Sequence, residues 1–311
     1  MSKVRLIISE SKSPHFNLAT EEYLLHHVDE DIVFIYDNTS SVIVGKHQNA
    51  FEECNQTFCE KYNIDVVRRL SGGGTVFHGP GNLNFCFIQN GEQADQLINF
   101  KKFLHPVNSF LNSIGVASEY SGRNDLLVDG FKISGNAEHI YSRKKRVIHH
   151  GTLLYDADLS TLNTAIKAKV NAIFKTHAVK SVRSTVANIC DYLPDNWNYD
   201  VFKSSLAESL LSFYSGQNLP LSDSEITTIN TLVKEKYSTW GWNFGYSPGF
   251  EVRLLIDDKQ SLNLTVKKGI IIEASIGNDE GAQNIPQLKG KPYSINSLEN
   301  LNLAIDFTHY F

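Results

Sequence analysis

Three consecutive glycines, Gly72-Gly73-Gly74, separate two runs that read as β-strands, Asp65 to Arg69 and Thr75 to Ile88, the second folded about a Gly/Pro turn. Without Cβ atoms, such a triplet can turn its backbone N–H groups inward and approach a ligand closely. Amides arranged in this way bind anions, phosphates above all. Arg68 and Arg69 before the triplet add charge-assisted donors, and His78 lies just beyond it. Taken alone, a glycine triplet is more often a plain hairpin turn. The segment is not a Walker loop, because no Gly-Lys-[Ser/Thr] follows. Nor is it a dinucleotide fingerprint, since the third glycine of G-x-G-x-x-G would fall at Phe77. A strand, a glycine loop and a second strand point instead to a mixed sheet holding a bent nucleotide.

The 311 residues suit about two domains at roughly 150 residues each. Short β-type runs (Ile32 to Tyr36, Ser41 to Gly45) alternate with amphipathic helices, which predicts an α+β fold with mixed and antiparallel sheets flanked by helices. Asn17 is the expected N-cap of a helix bearing Leu18, Glu22 and Leu25. Ile98 to Ile114 carries apolar residues at helical spacing and ends at Gly115, and Pro106 should kink it or mark its start. Ser160 is the expected cap of a helix through Leu162, Ile166, Val170 and Ile173, and Asp200 and Gly216 bracket a third. The aromatic, Gly/Pro-bearing stretch Tyr237 to Pro248 reads as a junction, followed by three strands (Glu251 to Ile256, Leu262 to Lys267, Ile270 to Ile276) and a short helix from Ile295 to Asn302. The expected division is a large domain over 1–245 and a small one over 246–311.

Three further segments bear on chemistry. In Gly122-Arg-Asn-Asp125 to Ala137, the Asp129-Gly130 pair is a type I′ turn signal, with Lys132 just beyond it. A lone lysine is ordinarily a surface residue. The small residues Ser134, Gly135 and Ala137 beside this one suggest close ligand approach. His149-His150-Gly151-Thr152 is a polar entry into an apolar strand, and Lys180 to Asn188 (KSVRSTVAN) is the last of the set. Two other patterns carry no chemistry. Gly245-Tyr-Ser247-Pro248-Gly249 matches a nucleophile elbow, but Pro248 has no N–H to give an oxyanion hole. His149 and His150 are adjacent, and adjacent side chains do not converge on a metal.

A net charge of −5 argues against a chain whose main work is coating nucleic acid. No apolar run approaches the roughly 18 residues of a membrane span, and Leu6-Ile7-Ile8 is too short for a signal-peptide core, so the cytoplasm is the expected compartment. Residues 122–183 hold eleven Lys/Arg and five Asp/Glu, which concentrates positive charge in the stretch containing Lys132. Much of it is Arg143 to Arg146, which reads as a solvated loop tip. Cys54, Cys59, Cys86 and Cys190 have neither C-x-x-C nor zinc spacing and read as small buried hydrophobes.

Together, RRLSGGGTVFHGPGN, GRNDLLVDGFKISGNA, HHGTLLYD and KSVRSTVAN, with NLATEEYLL and SVIVGKHQN before them, resemble the lipoate–protein ligase A family within the biotin/lipoate ligase superfamily. The resemblance implies a two-step reaction. Lipoate attacks the α-phosphate of Mg-ATP to give lipoyl-AMP and pyrophosphate. A lysine of an apo lipoyl domain, in a 2-oxoacid dehydrogenase E2 or the glycine-cleavage H protein, then takes the acyl group and releases AMP. It also implies roles. Lys132 is the catalytic residue, touching acyl carbonyl and adenylate phosphate. Arg69, Ser71, Gly72, Gly73, Gly74, Thr75, Val76, Phe77, His78, Asn82 and Asp125 cradle the adenylate, and Asp125 would hold either the adenine-side loop or Mg2+ carried by ATP. Gly74, His78, Ala137, His150 and Gly151 join Lys132 at the lipoate end. The alternatives are an acyltransferase working through a cysteine thioester, for which Cys190 is the remaining suspect, and a non-catalytic lipoate or nucleotide sensor. Gly79 departs from the Asp that many members carry after the histidine.

Overall fold

The computed structural model describes residues 4–91, 98–122, 124–166, 172–182, 184–257, 259–278, 281–299, 301 and 307–311. The chain opens with strand β1 (Arg5–Ile8), so the apolar Leu6-Ile7-Ile8 becomes a core strand. Helix α1 (Pro14–His27) starts earlier than Asn17: Ser13 caps it by accepting from Phe16 N, and Pro14 occupies the first turn, where a missing N–H costs nothing. Asn17 is freed for buried hydrogen bonds. Next come β2 (Ile32–Asp37), β3 (Ser41–Val44), the short helices α2 (Ala50–Glu53) and α3 (Gln56–Lys61), β4 (Asp65–Arg68), β5 (Val76–His78) and β6 (Asn82–Asn90).

Helix α4 (Phe100–Ser113) is capped by Asn99 and runs through Pro106. Burial of Phe103, Leu104, Val107, Phe110 and Leu111 on one face offsets a proline cost of about 3 kcal/mol, each large side chain contributing about 1.5–3 kcal/mol. Then follow β7 (Glu119–Tyr120), β8 (Asp125–Val128), β9 (Phe131–Tyr141) and β10 (Arg146–Leu154). Between β8 and β9, Asp129 and Gly130 take φ of 50° and 81°, as the type I′ turn requires. Helix α5 (Leu159–Ala165) is capped by Asp158, not Ser160. Ile173 belongs to strand β11 (Ala172–Thr176), while Val170 lies outside the described residues. Tertiary pairing with a later strand claims a segment whose local spacing alone reads as helix. The chain continues with α6 (Tyr199–Phe213), capped by Asn198, β12 (Gln217–Asn218), α7 (Asp223–Leu232), β13 (Phe250–Leu255), β14 (Ser261–Lys267), β15 (Ile270–Asn278), β16 (Gly281–Asn284) and α8 (Ile295–Glu299).

Among the described residues an eight-stranded mixed sheet has the order β12-β1-β2-β6-β10-β9-β8-β7. Helices α4 and α6 pack on one face of it through Phe85, Phe87, Phe103 and Phe202. On the other face, Leu24 and Leu25 of α1 meet Phe34, Cys86 and Ile148. Successive strand side chains point to opposite faces, so His149 enters the aromatic core beside Phe85, Phe87, Phe100 and Phe103, and His150 faces α1. A small sheet β4-β3-β5 carries the glycine loop, and a five-stranded sheet β11-β13-β14-β15-β16 draws its first strand from before residue 245.

The stretch 237–248 is packed rather than free. Fully buried Arg68 donates to the carbonyls of Gly45, Gln48, Trp242 and Asn243 and to Ser247 Oγ at 2.8–3.0 Å. Arg68 and Ser247, singled out in the sequence for other reasons, are thus structural partners. The expected basic loop tip is also smaller than it reads: Arg146 is fully buried and donates to carbonyls of Leu24 and Glu30, ending α1.

Candidate active site

Strands β9 and β10, the glycine loop, residues 179–182 and Ser184 enclose a cavity of about 500 Å³. Arg69, Gly73, Gly74, Thr75, Val76, His78, Asp125, Lys132, Ala137, His150 and Gly151 line it. Ser71, Gly72, Phe77 and Asn82 stand behind that wall. Asn82 donates to Asn84 Oδ1 at 2.9 Å, and Asn84 is on the wall.

Arg69 holds the loop rather than reaching into the space. Its guanidinium donates to the carbonyls of Ile43, Gly72 and Gly74 and to Ser71 Oγ at 2.6–3.1 Å. Gly73 sits at φ +86°, and no described residue accepts from the amides of Gly72, Gly73 or Gly74. Bending the loop's carbonyls back onto one arginine leaves those amides for an anion. Gly45 makes the approach possible, because a Cβ there would lie 2.2 Å from Gly73 O.

Lys132 follows the tight turn and is fixed at its backbone. Its N–H donates to Thr185 O at 2.9 Å and its carbonyl accepts from Ala187 N at 3.1 Å, which ties the KSVRSTVAN segment to β9. Its Nζ lies 3.0 Å from Asp125 Oδ1, an ion-pair distance at an angle that leaves this oxygen without a hydrogen bond. Gly135 clears space for the amine, since a Cβ there would be 2.8 Å from Nζ. Asp125 is the only carboxylate among the described lining residues. Among the described residues no group of three His, Cys, Asp or Glu could hold a metal. The charge of 122–183 is dispersed: Lys144 pairs with Asp29, Lys175 with Glu251 and Lys180, at the cavity edge, with Glu52, while Arg146 is internal and Arg143 and Lys145 are exposed, so Lys132 is the described cation of that stretch left facing the cavity. Arg123, Lys167, Lys169 and Arg183 lie outside the described residues.

Several wall contacts have no signal in the sequence. Glu21 of α1 is buried, lies 2.7 Å from His150 Nδ1 and accepts from Tyr36 Oη at 3.0 Å; His150 Nε2 is 2.5 Å from Ser71 Oγ. Ser181 accepts from Thr75 N (2.8 Å) and Gln48 Nε2 (3.0 Å) and donates to Glu53, so the segment 179–182 closes over the glycine loop. These residues are far apart in sequence, and only Glu21, as a charge inside an apolar helix face, is unusual enough to have drawn notice.

His78 is buried with Nδ1 2.9 Å from Asn38 Nδ2. Burial, reinforced by Arg69 and His150, pushes its pKa down to about 3. In the unfolded chain the ring titrates near 6.5, so the unfolded state binds the extra proton first and stability falls as pH drops below that value. This ring alone should cost about 2 kcal/mol between pH 6.5 and about pH 5. Urea midpoints measured across that range should fall less steeply in His78→Gln than in the parent; equal slopes would refute the assignment.

The cysteines have no place in this cavity. Cys54, Cys59 and Cys86 are buried in the core, and Cys190 is half-buried beside Asp156 and Asp191. Burial and those carboxylates push its thiol up to about 11, the opposite of what a thiolate nucleophile needs.

The model of the lipoyl protein ligase A/B catalytic domain matches residues 13–211. The chain is 39% identical over 311 residues to the lipoate–protein ligase LplJ of Bacillus subtilis, covering 96% of this chain and 93% of that one. It is 37% identical over 308 residues to lipoate–protein ligase 1 of Staphylococcus aureus, again covering 96% and 93%. Among solved structures, a lipoate–protein ligase A bound with ATP superposes with TM-score 0.67 at 25% identity, over 78% of this chain and 99% of that one. A P. falciparum protein solved in complex with lipoate shares the fold at TM-score 0.64 and 22% identity, over 99% and 96%. By the family model that covers more than half of its length and by these relatives, the chain belongs to the lipoate–protein ligase family.

Proposed function

We propose that this chain activates lipoate with ATP and transfers the lipoyl group to a lysine of an apo lipoyl domain. The observation that carries the reading is one cavity lined by both Lys132 and the glycine loop at Gly73 and Gly74, whose amides meet no acceptor among the described residues. Joining a carboxylate to an α-phosphate brings two anions together, and fixed positive charge with aimed amides is what lowers that barrier. Lys132 bridges the acyl oxygen and the adenylate phosphate, and the glycine loop donates to the phosphate oxygens. His150 and Gly151 border the acyl end, where a Cβ on Gly151 would fall 1.8 Å from Asn136 Oδ1. Relatives named for lipoate ligation and an ATP-bound relative support the substrate pair.

A single carboxylate suits Mg2+, which is commonly held by substrate phosphates with one or two carboxylates. Asp125 would be that ligand, and the ion's chemistry would be neutralisation of phosphate charge. The incoming lysine amine is the nucleophile of the second step, so the chain itself needs none. We assign the acceptor to an E2 or H-protein lipoyl domain, the catalytic unit to 1–245 and an accessory unit to 246–311.

The test is intact-mass spectrometry of an apo lipoyl domain incubated with the protein. With ATP plus lipoate a lipoyl adduct is expected; with octanoyl carrier protein and no ATP, none. Cys190→Ser should lipoylate at the parent rate. An adduct from the acyl carrier alone, lost on Cys190→Ser, would replace this reading with thioester transfer.

A further inference from the structure

A buried polar line runs from β1 to the cavity through Ser9, Asn17, Asn38 and His78. Asn17 and Asn38 are 0% and 2% exposed, in a core where polar groups must be paired. Asn17 Nδ2 lies 2.9 Å from Ser11 O and 3.1 Å from Asp37 O, and both are carbonyls that can only accept. Its amide nitrogen must therefore face them, and Ser9 Oγ donates to the opposite oxygen at 2.6 Å. The same nitrogen is 2.8 Å from Asn38 Oδ1, which turns the NH2 of Asn38 towards His78 Nδ1 at 2.9 Å. An amide nitrogen can only donate, so Nδ1 must be bare and the proton must sit on Nε2. No described residue takes Nε2, and the ring lines the cavity.

His150, on the same cavity, is set the other way. The Glu21 carboxylate accepts from its Nδ1–H, and its Nε2 faces Ser71. Which nitrogen a histidine presents is fixed by the bond its other nitrogen makes. An amide donor stands behind one ring and a carboxylate behind the other.

We infer that Asn17 and Asn38 are positioning residues that hold His78 as its Nε2–H tautomer, a fixed neutral donor to an oxygen of the bound acyl group. The inference rests on the proposed ligase reaction for its acyl substrate, but the tautomer stands independently of it. A neutral donor suits this place. The acyl carboxylate must keep its nucleophilicity in the first step while Lys132 supplies the charge. In the second step the acyl oxygen gains charge as the amine attacks, and one preorganised donor there is worth about 10²–10³ in rate.

Asn38→Asp tests this with little change in size. The aspartate still accepts from Asn17 but offers Nδ1 an acceptor, which draws the proton to Nδ1. Long-range proton–nitrogen spectra of the full-length protein report the tautomer directly, the His78 signals being those lost in His78→Gln. In the parent, Nδ1 should be unprotonated and Nε2 protonated; in Asn38→Asp, Nδ1 should carry a proton. Lipoylation by Asn38→Asp should fall about 100-fold, with its urea midpoint reported alongside. His78→Gln removes the ring that Asn38 sets, so it should itself lower lipoylation. Adding Asn38→Asp in that background should then cost little further. A parent spectrum with Nδ1 protonated overturns the tautomer. Full activity of Asn38→Asp, or an equal loss with and without His78, overturns the positioning role. A parent with the stated tautomer and no lipoylation would instead count against the ligase reading alone.

Discussion

Lys132→Ala should abolish pyrophosphate release from ATP and lipoate, with a fall of at least about 10³-fold, while leaving the unfolding free energy measured in urea within about 0.5 kcal/mol of the parent. The expectation follows from how the lysine is held. Its backbone is fixed in two hydrogen bonds to the 185–187 segment, so truncation beyond Cβ leaves the strand intact. Its amine is partly exposed in the cavity and, among the described residues, is ion-paired with Asp125 alone, so removing it opens no core. What disappears is the fixed charge at the point where carboxylate and α-phosphate meet. It also leaves the Asp125 carboxylate facing the incoming anions, which adds repulsion to the lost attraction. Near-parent pyrophosphate release in a folded Lys132→Ala protein would remove this residue from the chemistry. Lys132→Arg should recover little, because the planar guanidinium does not fit beside Gly135, where even a Cβ would lie 2.8 Å from the amine.

Arg69→Leu should act on the fold and the site together. The leucine leaves the carbonyls of Ile43, Gly72 and Gly74 without their donor inside a buried wall. Each such group costs about 1–3 kcal/mol, offset in part by no longer burying a guanidinium, so a net loss of about 3 kcal/mol is expected in urea unfolding. With its carbonyls released, the loop has no reason to keep its amides turned inward, and ATP affinity measured by calorimetry should fall at least about 100-fold. Arg69→Lys should be nearly as damaging, since one ammonium does not span the four acceptors. An Arg69→Leu protein that binds ATP as the parent does would mean the loop holds its shape unaided.

Residues that look alike in the sequence are parted by the fold. Arg68 and Arg69 both precede the glycines, yet Arg68 faces the 242–247 segment and Arg69 the loop, because neighbours on a strand point to opposite sides. The same alternation splits His149 from His150. His149 is buried among Phe85, Phe87 and Phe103 with Glu138 as its partner, whose carboxyl burial pushes up to about 7. His150 meets the cavity.

Short-range features were legible in the sequence because their causes are local. The type I′ turn at Asp129-Gly130 needs only residues that tolerate positive φ. Strands β2 to β6 follow from β-branched and aromatic runs bounded by turns, and the glycine loop from the absence of Cβ. Helix starts were misread by a few residues where a better cap lay upstream: Ser13 with Pro14 over Asn17, and Asp158 over Ser160. Tertiary structure decided everything that depends on distant partners. It extended α4 through Pro106 because the buried face outweighs one missing hydrogen bond, and it drew Ala172 to Thr176 into a sheet with strands some 80 residues later. It scattered the basic stretch over surface pairs and interior caps, turned Arg69 from an apparent ligand contact into the brace of the loop, and set Glu21 and Asn38 behind the two cavity histidines. Local sequence fixes backbone preference and which side chains are apolar. Which polar group ends behind which is a matter of sheet order and helix docking, and no spacing along the chain encodes it.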